Sequence, residues 1–395
     1  MYKNNIIKAK KLKKKYKNIL KEIEFIGITG TNGKTTVTTL IYKYYKYINE
    51  KITLIGTNGI YINNDYYETI NTTPGIEKLY EIILESYNRG IRVIVMEVSS
   101  HAITQNRIYG IDFKIKALTN ITQDHIDYHK TFENYKKTKI SFMKKAILLI
   151  NDEIKINKLF LFNKVYKFGK KNSYFNMDDI EINNENIKFK LTIKNKSYLI
   201  KSNLLGEFNC YNVLLFIAVI YKLNKFDYFT ILKFLETKIK IDGRMELFNY
   251  NNKTIIVDYA HTPDGMEKVL QFMNNNHNNK ILTIFGCGGD RDKDKREVMG
   301  KIASIYSDYV IITSDNPRNE NETLIIKDII KGIEDDNYII ESNRKNAIDL
   351  GFKLLDTYDV LLILGRGNED YIKVKDNLIK FNDIEYVKGK IECNG

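Results

Sequence analysis

The stretch GITGTNGKTT, residues 27–36, constrains the fold more strongly than any other part of the sequence. An apolar run leads into it and an amphipathic run, residues 34–48, follows, so a strand, a glycine-rich turn and a helix are predicted in succession. Such a turn presents backbone N–H groups and a helix N-terminus to phosphate. Lys34 can neutralise phosphate charge, and the Thr35 hydroxyl can bind Mg²⁺. We therefore expect a nucleoside triphosphate site rather than a glycine-rich turn without a ligand.

This loop departs from the usual template for phosphate-binding loops, G-x-x-x-x-G-K-[ST]. The position that the template gives to its first glycine is occupied by Ile28, and the glycines available before Gly33 are Gly27 and Gly30. The loop is therefore a variant of this template, and other parts of the chain are needed to identify the class of protein that contains such a variant.

Apolar runs that lead into polar loops and amphipathic segments recur along the chain, which is the pattern of βαβ units around a parallel sheet. The predicted strands are residues 24–30, 92–98, 114–121 and 145–151, and then residues 254–260, 280–286, 308–314 and 359–365. Short alternating runs between residues 160 and 203 predict hairpins attached to the first domain. Residues 213–221 predict a buried helix, and residues 227–238 an amphipathic one.

A seam at KIKIDGRMELF, residues 238–248, separates the two groups of strands. We therefore predict an α/β fold in three segments. These are a basic N-terminal arm at residues 1–24, a P-loop central domain with a parallel sheet at residues 25–240, and a Rossmann-like C-terminal α/β domain at residues 241–395. In open α/β sheets, ligands bind beyond the carboxyl ends of the strands, so the loops there are the candidates for chemistry.

The formal net charge of +13 is weak evidence for any partner. Ile, Lys, Asn and Tyr are abundant throughout while Pro and Trp are scarce, a bias that an AT-rich genome would produce, so no nucleic-acid partner is predicted. The lysine-rich residues 1–24 are interpreted as a solvated helix or a disordered arm, and a membrane-surface or nucleic-acid contact is the minority alternative.

The cysteines Cys210, Cys287 and Cys393 are too widely spaced for a metal-binding pair and are odd in number. A disulfide framework is therefore not expected, and a cytoplasmic location is predicted. The longest apolar stretch, residues 213–221, is far shorter than the ~20 residues that cross a bilayer. No membrane span is predicted.

The loop GTNGKTT resembles the ATP-binding loop of the Mur ligases, a family that joins an amino acid to a growing peptide carboxylate. Further blocks resemble this family in the same order along the chain: NTTP (71–74), MEVSSHAITQNR (96–107), TNITQDHIDYH (119–129), NYKKTK (134–139), GEFNCYN (206–212), DGRME (242–246), VDYAHTPD (257–264), FGCGGDRDKDKR (285–296), SDNPRNE (314–320) and GRGNED (365–370). Several are typical of the members that add the third peptide residue. The resemblance implies an ATP-dependent amide ligase of peptidoglycan precursor synthesis, which adds meso-diaminopimelate to UDP-N-acetylmuramoyl-L-Ala-D-Glu through an acyl phosphate.

The resemblance implies an ATP site that is formed by Gly30, Thr31, Asn32, Gly33, Lys34, Thr35 and Thr36. Asn212 resembles the residue that contacts adenine, and Asp258 and His261 resemble the contacts to ribose and base from the C-terminal domain. For these two residues, ordinary turn chemistry around Pro263 is the alternative. ATP would then lie between two domains that close on it and exclude water.

The implied catalytic residues are Lys34, Glu97, His125 and Lys139, and the implied Mg²⁺ ligands are Thr35, Glu97, His125 and Lys139. Glu97 would bind Mg²⁺ between the β- and γ-phosphates; a solvated acid at a strand end is its alternative. His125 would bind the second metal or the phosphate. Lys139 resembles a lysine that carries CO₂ as a carbamate, which forms only on the neutral amine; an exposed helix lysine is its alternative.

The implied amino-acid site consists of Arg291, Asp315, Asn316, Pro317, Arg318, Gly365 and Glu369. Arginine binds carboxylates by a two-pronged fork, and Glu369 can accept an ammonium group. The DNPR block resembles the version that selects meso-diaminopimelate, with a structural ion pair as the alternative for Arg318. Family members usually read GKGHE where this chain reads GRGNE at residues 365–369, so the histidine is absent and the glutamate is kept.

The implied contacts to the muramoyl-peptide substrate are Asn71, Thr72, Thr73, Ser99, Gln105 and Arg107, with turn or cap roles as their alternative. The expected partners are thus small molecules, a nucleotide-sugar peptide and an amino acid.

Members that add the third residue carry a further N-terminal domain for the UDP end of the substrate, whereas residues 1–24 alone precede the loop region here. A partner subunit could supply that domain, the lysines could bind the pyrophosphate, or the enzyme could act on another carboxylate in a secondary-metabolite or poly-amino-acid pathway. A non-catalytic nucleotide-binding subunit is less favoured, because Lys34, Glu97 and Lys139 are all present.

Overall fold

The computed structural model describes residues 3–155, 164–275 and 279–394, and it describes only the backbone of residues 3 and 394. The chain divides into two compact units. Unit 1 contains Met1–Thr122 and Glu133–Ile239, and unit 2 contains Gln123–Phe132 and Lys240–Gly395.

Up to residue 239 the elements are, in chain order, α1 (Lys3–Lys15), α2 (Lys17–Glu22), β1 (Glu24–Thr29), α3 (Lys34–Tyr47), β2 (Thr53–Gly56), β3 (Gly59–Ile62), β4 (Asp65–Tyr67), α4 (Ile76–Asn88), β5 (Val93–Glu97), α5 (Ser100–Thr104), β6 (Phe113–Leu118), α6 (Ile126–His129), α7 (Phe132–Phe142), β7 (Ile147–Asn151), β8 (Lys164–Gly169), β9 (Phe175–Ile182), β10 (Ile187–Ile193), β11 (Lys196–Ser202), α8 (Glu207–Lys222) and α9 (Tyr228–Glu236). From residue 240 they are β12 (Glu246–Tyr250), β13 (Lys253–Asp258), α10 (Pro263–Asn275), β14 (Ile281–Phe285), α11 (Asp294–Tyr306), β15 (Tyr309–Ile312), α12 (Glu322–Ile330), β16 (Tyr338–Ile340), α13 (Arg344–Leu354), β17 (Val360–Leu364), β18 (Tyr371–Val374), β19 (Asn377–Lys380) and α14 (Asp383–Asn394).

Unit 1 is built on one sheet with the strand order β11-β10-β9-β8-β7-β6-β1-β5-β2-β3-β4. Its central strands pair in parallel. After its first residue β1 is fully buried, as expected for a parallel strand covered on both faces. The predicted strands at residues 24–30, 92–98, 114–121 and 145–151 are confirmed as β1, β5, β6 and β7. The glycine loop follows β1 at the carboxyl edge of this sheet.

The predicted hairpins are confirmed as β9, β10 and β11, which pair in antiparallel fashion; residues 160–163 of that prediction lie outside the described residues. These strands continue the parallel sheet, because β9 joins β8 through the pairs Phe168 with Phe175 and Gly169 with Asn176. The predicted buried helix is confirmed as the core of α8, which packs against β7, β8, β9 and β10. The amphipathic helix predicted next is confirmed as α9.

The N-terminal segment corrects the prediction of a solvated or disordered arm. Helix α1 lies against α4, with Ala9 fully buried. Leu12 and Tyr16 pack against the core of unit 1, and Lys8 forms an ion pair with Glu77 of α4. From residue 3 onward the segment therefore forms two helices, α1 and α2, that pack on the core of unit 1, with most of their lysines exposed.

Unit 2 contains a sheet with the order β12-β13-β17-β14-β15-β16 and a separate hairpin of β18 and β19. All neighbours from β13 to β16 pair in parallel, and β12 is antiparallel to β13. The four predicted strands of this region are confirmed as β13, β14, β15 and β17, and the α/β fold class is confirmed for the chain. None of the helices in the described ranges is long and apolar enough to cross a membrane.

Candidate functional site

The glycine loop between β1 and α3 is held by the segment that follows β6. A Cβ at Gly30, where φ is +149°, would collide with Thr119 Oγ1, so this position requires glycine. The Thr119 hydroxyl donates to the Asn32 carbonyl at 2.6 Å, and Asn120 Oδ1 accepts from the Asn32 N–H at 2.9 Å. Two loop residues therefore depend on side chains that lie about ninety residues away in sequence.

Thr31 connects the loop to helix α7. Its Oγ1 accepts from the Thr122 N–H at 3.0 Å and lies 2.9 Å from the Tyr135 hydroxyl. Thr119, Asn120 and Tyr135 lie in the family-like blocks TNITQDHIDYH and NYKKTK, but no role was predicted for them. Only their position next to the loop indicates a role for them, and that position is known only from the folded structure.

Two lysines converge on one carbonyl of the loop. Lys34 Nζ donates to the carbonyls of Gly30 at 2.9 Å and Thr31 at 2.7 Å. Lys139 Nζ, from α7, donates to the same Gly30 oxygen at 2.8 Å and lies 4.6 Å from the centroid of the Tyr135 ring. Lys139 is only 2% exposed, unlike the exposed helix lysine of the alternative interpretation. Two positive charges therefore stand at a helix N-terminus that is suited to phosphate.

Glu97 ends β5 and is fully buried, which contradicts the alternative of a solvated acid. Its Oε1 accepts from the Thr57 N–H at 2.8 Å and its Oε2 from the Thr57 hydroxyl at 3.2 Å. A Cβ at Gly56 would lie 2.5 Å from Oε1, so the close approach of the two strands needs glycine. A carboxylate has capacity for further partners beyond these two donors.

The residues present fit Mg²⁺ held in the usual protein manner, by one or two carboxylates together with substrate phosphates. The described residues contain no group of three or more His, Cys, Asp or Glu side chains that could hold a metal by themselves. Glu97, a fully buried carboxylate, and the hydroxyl of Thr35 in the first turn of α3 are the oxygen donors of unit 1 that were predicted to hold such an ion.

Most residues predicted to contact the muramoyl-peptide form one hydrogen-bonded network. The Thr73 hydroxyl donates to the Glu97 carbonyl at 2.8 Å and accepts from the Ser99 N–H at 3.1 Å. Arg107 donates to the Thr73 carbonyl at 2.7 Å and to Gln105 Oε1 at 2.6 and 2.8 Å. Arg107 is thereby fixed beside the strand end that carries Glu97.

Two neighbouring threonines extend this network, while Asn71 stands apart from it. Thr72 Oγ1 lies 3.1 Å from Thr57 Oγ1, the hydroxyl that also contacts Glu97. Asn71 lies exposed in the preceding turn, where its carbonyl accepts from the Thr69 hydroxyl at 2.9 Å. Thr57 was missed by the sequence analysis because it belongs to none of the family-like blocks.

Asn212, the predicted adenine contact, lies on α8 against the glycine loop. A Cβ at Gly33 would collide with Asn212 Oδ1, and Gly33 has a left-handed φ of +84°. The Asn212 amide donates to Asn209 Oδ1 at 2.8 Å, which fixes its orientation. The structure thus brings Asn212, Lys34 and the loop residues together in unit 1.

His125 is part of unit 2, and it precedes α6 in a left-handed conformation with φ +56°. Its Nε2 lies 3.2 Å from Asp124 Oδ2, and its backbone N–H donates to Asp124 Oδ1 at 2.8 Å. The neighbouring Gln123 donates to Asp292 at 3.2 Å within the same unit.

Asp258 and His261 occupy the turn after β13. Both oxygens of Asp258 accept backbone N–H groups, from Met245 and Ala260, each at 2.7 Å, and its contact to ribose stays a prediction. His261 Nδ1 lies 2.9 Å from the Tyr259 carbonyl. Burial and the nearby Lys295 lower the pKa of His261 to about 4. The ring is therefore neutral near pH 7, with Nδ1 as the donor and Nε2 as a hydrogen-bond acceptor.

The residues that were predicted to bind the amino acid lie close together in unit 2. Asn316 Nδ2 donates to Glu369 Oε2 at 2.8 Å, and the Tyr259 hydroxyl donates to Oε1 at 3.3 Å. A Cβ at Gly365 would lie 3.0 Å from Asp315 Oδ2. Burial raises the pKa of Glu369, and Asp315 raises it further.

Arg318 has a left-handed φ of +52° and donates to the carbonyls of Gly289 at 2.8 Å and Asn316 at 3.2 Å. Burial lowers the pKa of Arg318, and the nearby Arg291 guanidinium lowers it further. Within the described residues Arg318 forms no ion pair, which argues against the structural alternative. The carbonyl oxygen of Pro317 lies close to Gly289.

A phosphate-binding loop with two lysines and a buried carboxylate, together with a Rossmann-like unit that carries a mixed-charge cluster, is typical of nucleotide-dependent ligases. Residues 28–220 match the Mur ligase middle domain, and residues 243–367 match the domain described as Mur ligase, glutamate ligase domain. The chain belongs to the Mur ligase family, whose members are ATP-dependent ligases that form amide bonds.

Named relatives agree with this assignment. The chain is 40% identical to the UDP-N-acetylmuramoyl-L-alanyl-D-glutamate–2,6-diaminopimelate ligase of Clostridium botulinum, over 95% of this chain and 80% of that protein. It is 40% identical to the enzyme of the same name from Helicobacter pylori, over 93% and 83%.

Solved structures agree as well. A structure of a ligase with that name superposes with a TM-score of 0.66 at 28% identity, over 98% of this chain and 82% of the other. A folylpolyglutamate synthase from Mycobacterium tuberculosis, solved with ADP and AMPPCP, has a TM-score of 0.74 at 16% identity, over 91% and 92%, and this shows the shared fold.

Proposed function

We propose that the protein joins meso-diaminopimelate to UDP-N-acetylmuramoyl-L-Ala-D-Glu at the expense of ATP. The observation that carries this proposal is the cluster of Arg318, Asn316 and Glu369, with Arg291 nearby, in unit 2. It offers guanidinium groups for carboxylates and a carboxylate for an amine, which suits an amino acid whose side chain ends in both. The names of the relatives at 40% identity support the same substrates.

The reaction begins with transfer of the γ-phosphate to the substrate carboxylate, which gives an acyl phosphate. Lys34 and the N–H groups of the glycine loop bind the transferred phosphate and stabilise the charge that grows on it. Thr35 and Glu97 would hold Mg²⁺, which neutralises phosphate charge when bound. Neutral His261 and Asn212 offer an acceptor and an amide for the nucleoside, as their proposed roles require.

Amide formation then requires an unprotonated amine next to the acyl phosphate. The amine attacks the carbonyl carbon and a tetrahedral species forms. Its collapse breaks the carbon–oxygen bond to phosphate, and one proton passes from the nitrogen to the inorganic phosphate that is released. Arg291 and Arg318 orient the amino acid through its carboxylates, so the amine approaches in one direction. Thr73, Ser99 and Arg107 hold the acceptor peptide, and their hydrogen-bonded network supports that role.

A carbamate on Lys139 is part of this proposal. The modification requires a neutral amine, and the lysine that would carry it is 2% exposed next to the glycine loop. The resulting carboxylate would then lie next to the glycine loop, where the phosphates of ATP are proposed to bind.

We further propose that residues 25–240 act as the ATP-binding domain, residues 241–395 as the amino-acid domain, and residues 1–24 as a preceding basic segment. A cytoplasmic location fits an enzyme that uses ATP and nucleotide-sugar peptides as substrates. The comparisons give no support to a separate partner that would supply a uridine-binding domain.

The test is a substrate matrix. Purified protein with ATP and Mg²⁺ is given UDP-N-acetylmuramoyl-L-Ala-D-Glu or other carboxylates, each with meso-diaminopimelate, L-lysine or no amino acid, and ADP release and product mass are measured. We expect ADP release that depends on both meso-diaminopimelate and the muramoyl dipeptide. Faster turnover with another carboxylate would replace the proposed acceptor, and nucleotide binding without turnover on any pair would indicate a non-catalytic subunit.

A further inference from the structure

The loop after β17 rests on three buried charged residues to which none of the roles above is given. Arg344 is 2% exposed, and Arg366 and Asp383 are fully buried. Arg344 forms a two-pronged contact with Asp383, with N–O distances of 2.7 and 3.2 Å. Arg366 Nε lies 3.8 Å from the same carboxylate. Two buried guanidinium groups thus face one carboxylate, an arrangement that needs another negative charge nearby.

Glu369 supplies that negative charge. Arg366 Nη1 lies 3.6 Å from Glu369 Oε2. Arg366 Nη2 donates to the backbone carbonyls of Glu369 at 3.3 Å and Phe381 at 3.2 Å. Within the described residues, Nε and Nη1 of Arg366 make no hydrogen bond. Those two N–H groups therefore act on Asp383 and Glu369 through charge, while Nη2 fixes the backbone.

We propose that Arg366 is a positioning residue, which keeps the Glu369 carboxylate ionised and in place to receive an amine group of the incoming amino acid. This inference rests on the proposed function of unit 2. The Arg344–Asp383 pair in turn orients Arg366, and Arg344 also donates to the Leu364 carbonyl at 3.0 Å, at the start of the loop.

The surroundings of Glu369 make such a residue necessary. Burial and Asp315 raise the pKa of Glu369, whereas Arg366, the Asn316 amide and Arg318 lower it. The Tyr259 hydroxyl also faces the carboxylate. If Arg366 lost its charge, the neutral acid would be favoured, and a neutral acid cannot form an ion pair with an ammonium group.

Arg366→Gln and Arg366→Lys separate charge from mere support. Glutamine can still donate to a backbone carbonyl but has no charge; lysine keeps the charge and is the residue that Mur ligases usually carry here. The readout is the pKa of the Glu369 carboxyl, followed by ¹³C NMR on protein labelled at glutamate and assigned with Glu369→Gln. We expect Arg366→Gln to raise this pKa by about one unit or more, and Arg366→Lys to leave it within about half a unit.

Kinetics supply the second readout. At pH 7, Arg366→Gln should raise the KM for the amino acid about tenfold or more and leave the KM for ATP unchanged, and Arg366→Lys should restore most of the loss. Val360→Ala, at the opposite end of β17, is the matched control: it removes buried contacts, so it should lower thermal stability without changing either KM.

An unchanged Glu369 pKa in folded Arg366→Gln would reduce Arg366 to a structural role and overturn the inference. Should that variant not fold, a rise of more than about one unit in Arg366→Lys would overturn it equally, because the charge is retained there. The NMR titration needs no substrate. Failure of the proposed function would be seen as no ADP release by the unmodified protein with meso-diaminopimelate. It can therefore be told apart from failure of the Arg366 inference.

Discussion

Gly30 occupies a point where the chain leaves no room for a side chain. Its φ is left-handed, and a Cβ would meet the Thr119 hydroxyl that holds Asn32. We expect Gly30→Ala to destabilise unit 1 by on the order of 2 kcal/mol or more and to abolish nucleotide binding. Gly75→Ala is the control, because no atom lies within 4 Å of its Cβ position. Thermal melting and nucleotide titration of both variants check this, and equal behaviour of the two would contradict it.

Lys139 gives a second prediction at this scale. Lys139→Ala should lower kcat by about 100-fold or more, because a charged group beside the reacting phosphate is removed. Short carboxylic acids should restore part of the activity if a carbamate is the working form. Lys137→Ala, exposed on the same helix, should stay within about twofold. Full activity of Lys139→Ala, or rescue by amines instead of acids, would argue against the carbamate.

His261 predicts a pH dependence of stability. Its folded pKa of about 4 lies below the value of about 6.5 for the unfolded side chain, so acid protonates the unfolded chain first. The stabilisation is complete above pH 6.5 and is lost as the pH falls toward 4. Because the ring is half-buried, we expect the protein to lose only about 1–2 kcal/mol more than His261→Gln between pH 7 and 4.5. Urea unfolding at both pH values measures this, and parallel losses would refute it.

The sequence identified the positions of these residues but not their surroundings. Lys34 and the loop glycines could be predicted because their spacing is local and the chemistry of phosphate demands them. The burial of Lys139 could not, since it depends on a contact with Gly30 across 109 residues. Asp258 illustrates the same limit, because its carboxylate accepts the Met245 N–H from a preceding turn.

At the scale of elements, α1 was misjudged because its lysines dominate the sequence. Ala9 and Leu12 of α1 and Tyr16, the residue after it, have helical spacing and form an apolar stripe against the core of unit 1, where α1 packs on α4. Ala9→Asp should therefore destabilise unit 1 by about 3 kcal/mol, since it buries an unpaired charge. Lys10→Asp, on the exposed face, should change stability by at most about 0.5 kcal/mol. Chemical unfolding of both variants measures these changes. An Ala9→Asp variant as stable as the unmodified protein would show that α1 is not docked.

Buried apolar strands were predictable, and short exposed strands were not. β1, β5, β14 and β17 are almost continuous apolar runs, because both of their faces are buried. β4, β16 and β19 have three or four residues that are largely exposed, so their sequences carry little hydrophobic pattern.

At the scale of the whole molecule, nucleotide binding should appear as added stability. A non-hydrolysable ATP analogue with Mg²⁺, at about a hundred times its Kd, should add about 2.7 kcal/mol to the free energy of unfolding. Chelation of Mg²⁺ should remove most of this gain. Lys34→Ala should abolish it, whereas Lys43→Ala, on the same helix, should keep it. Calorimetry of the three proteins measures the effect, and a gain in Lys34→Ala would place the nucleotide elsewhere.

Family membership was predictable from the order of the motif blocks, because each block is short but the series spans both units. The pairing of Arg366 with Glu369 was not, since the motif shows the two residues as neighbours in sequence without the buried Asp383 behind them.

The sheet of unit 1 is continuous in strand order, yet among the residues that the structure describes β8 and β9 share only two residue pairs. Helix α8 packs on both sides of this joint, against β7 and β8 and against β9 and β10. The hairpins can therefore open as a separate cooperative unit more readily than the central strands β1 and β5, which are paired along most of their length. Amide exchange would record this as faster exchange in β9–β11 than in β1 and β5.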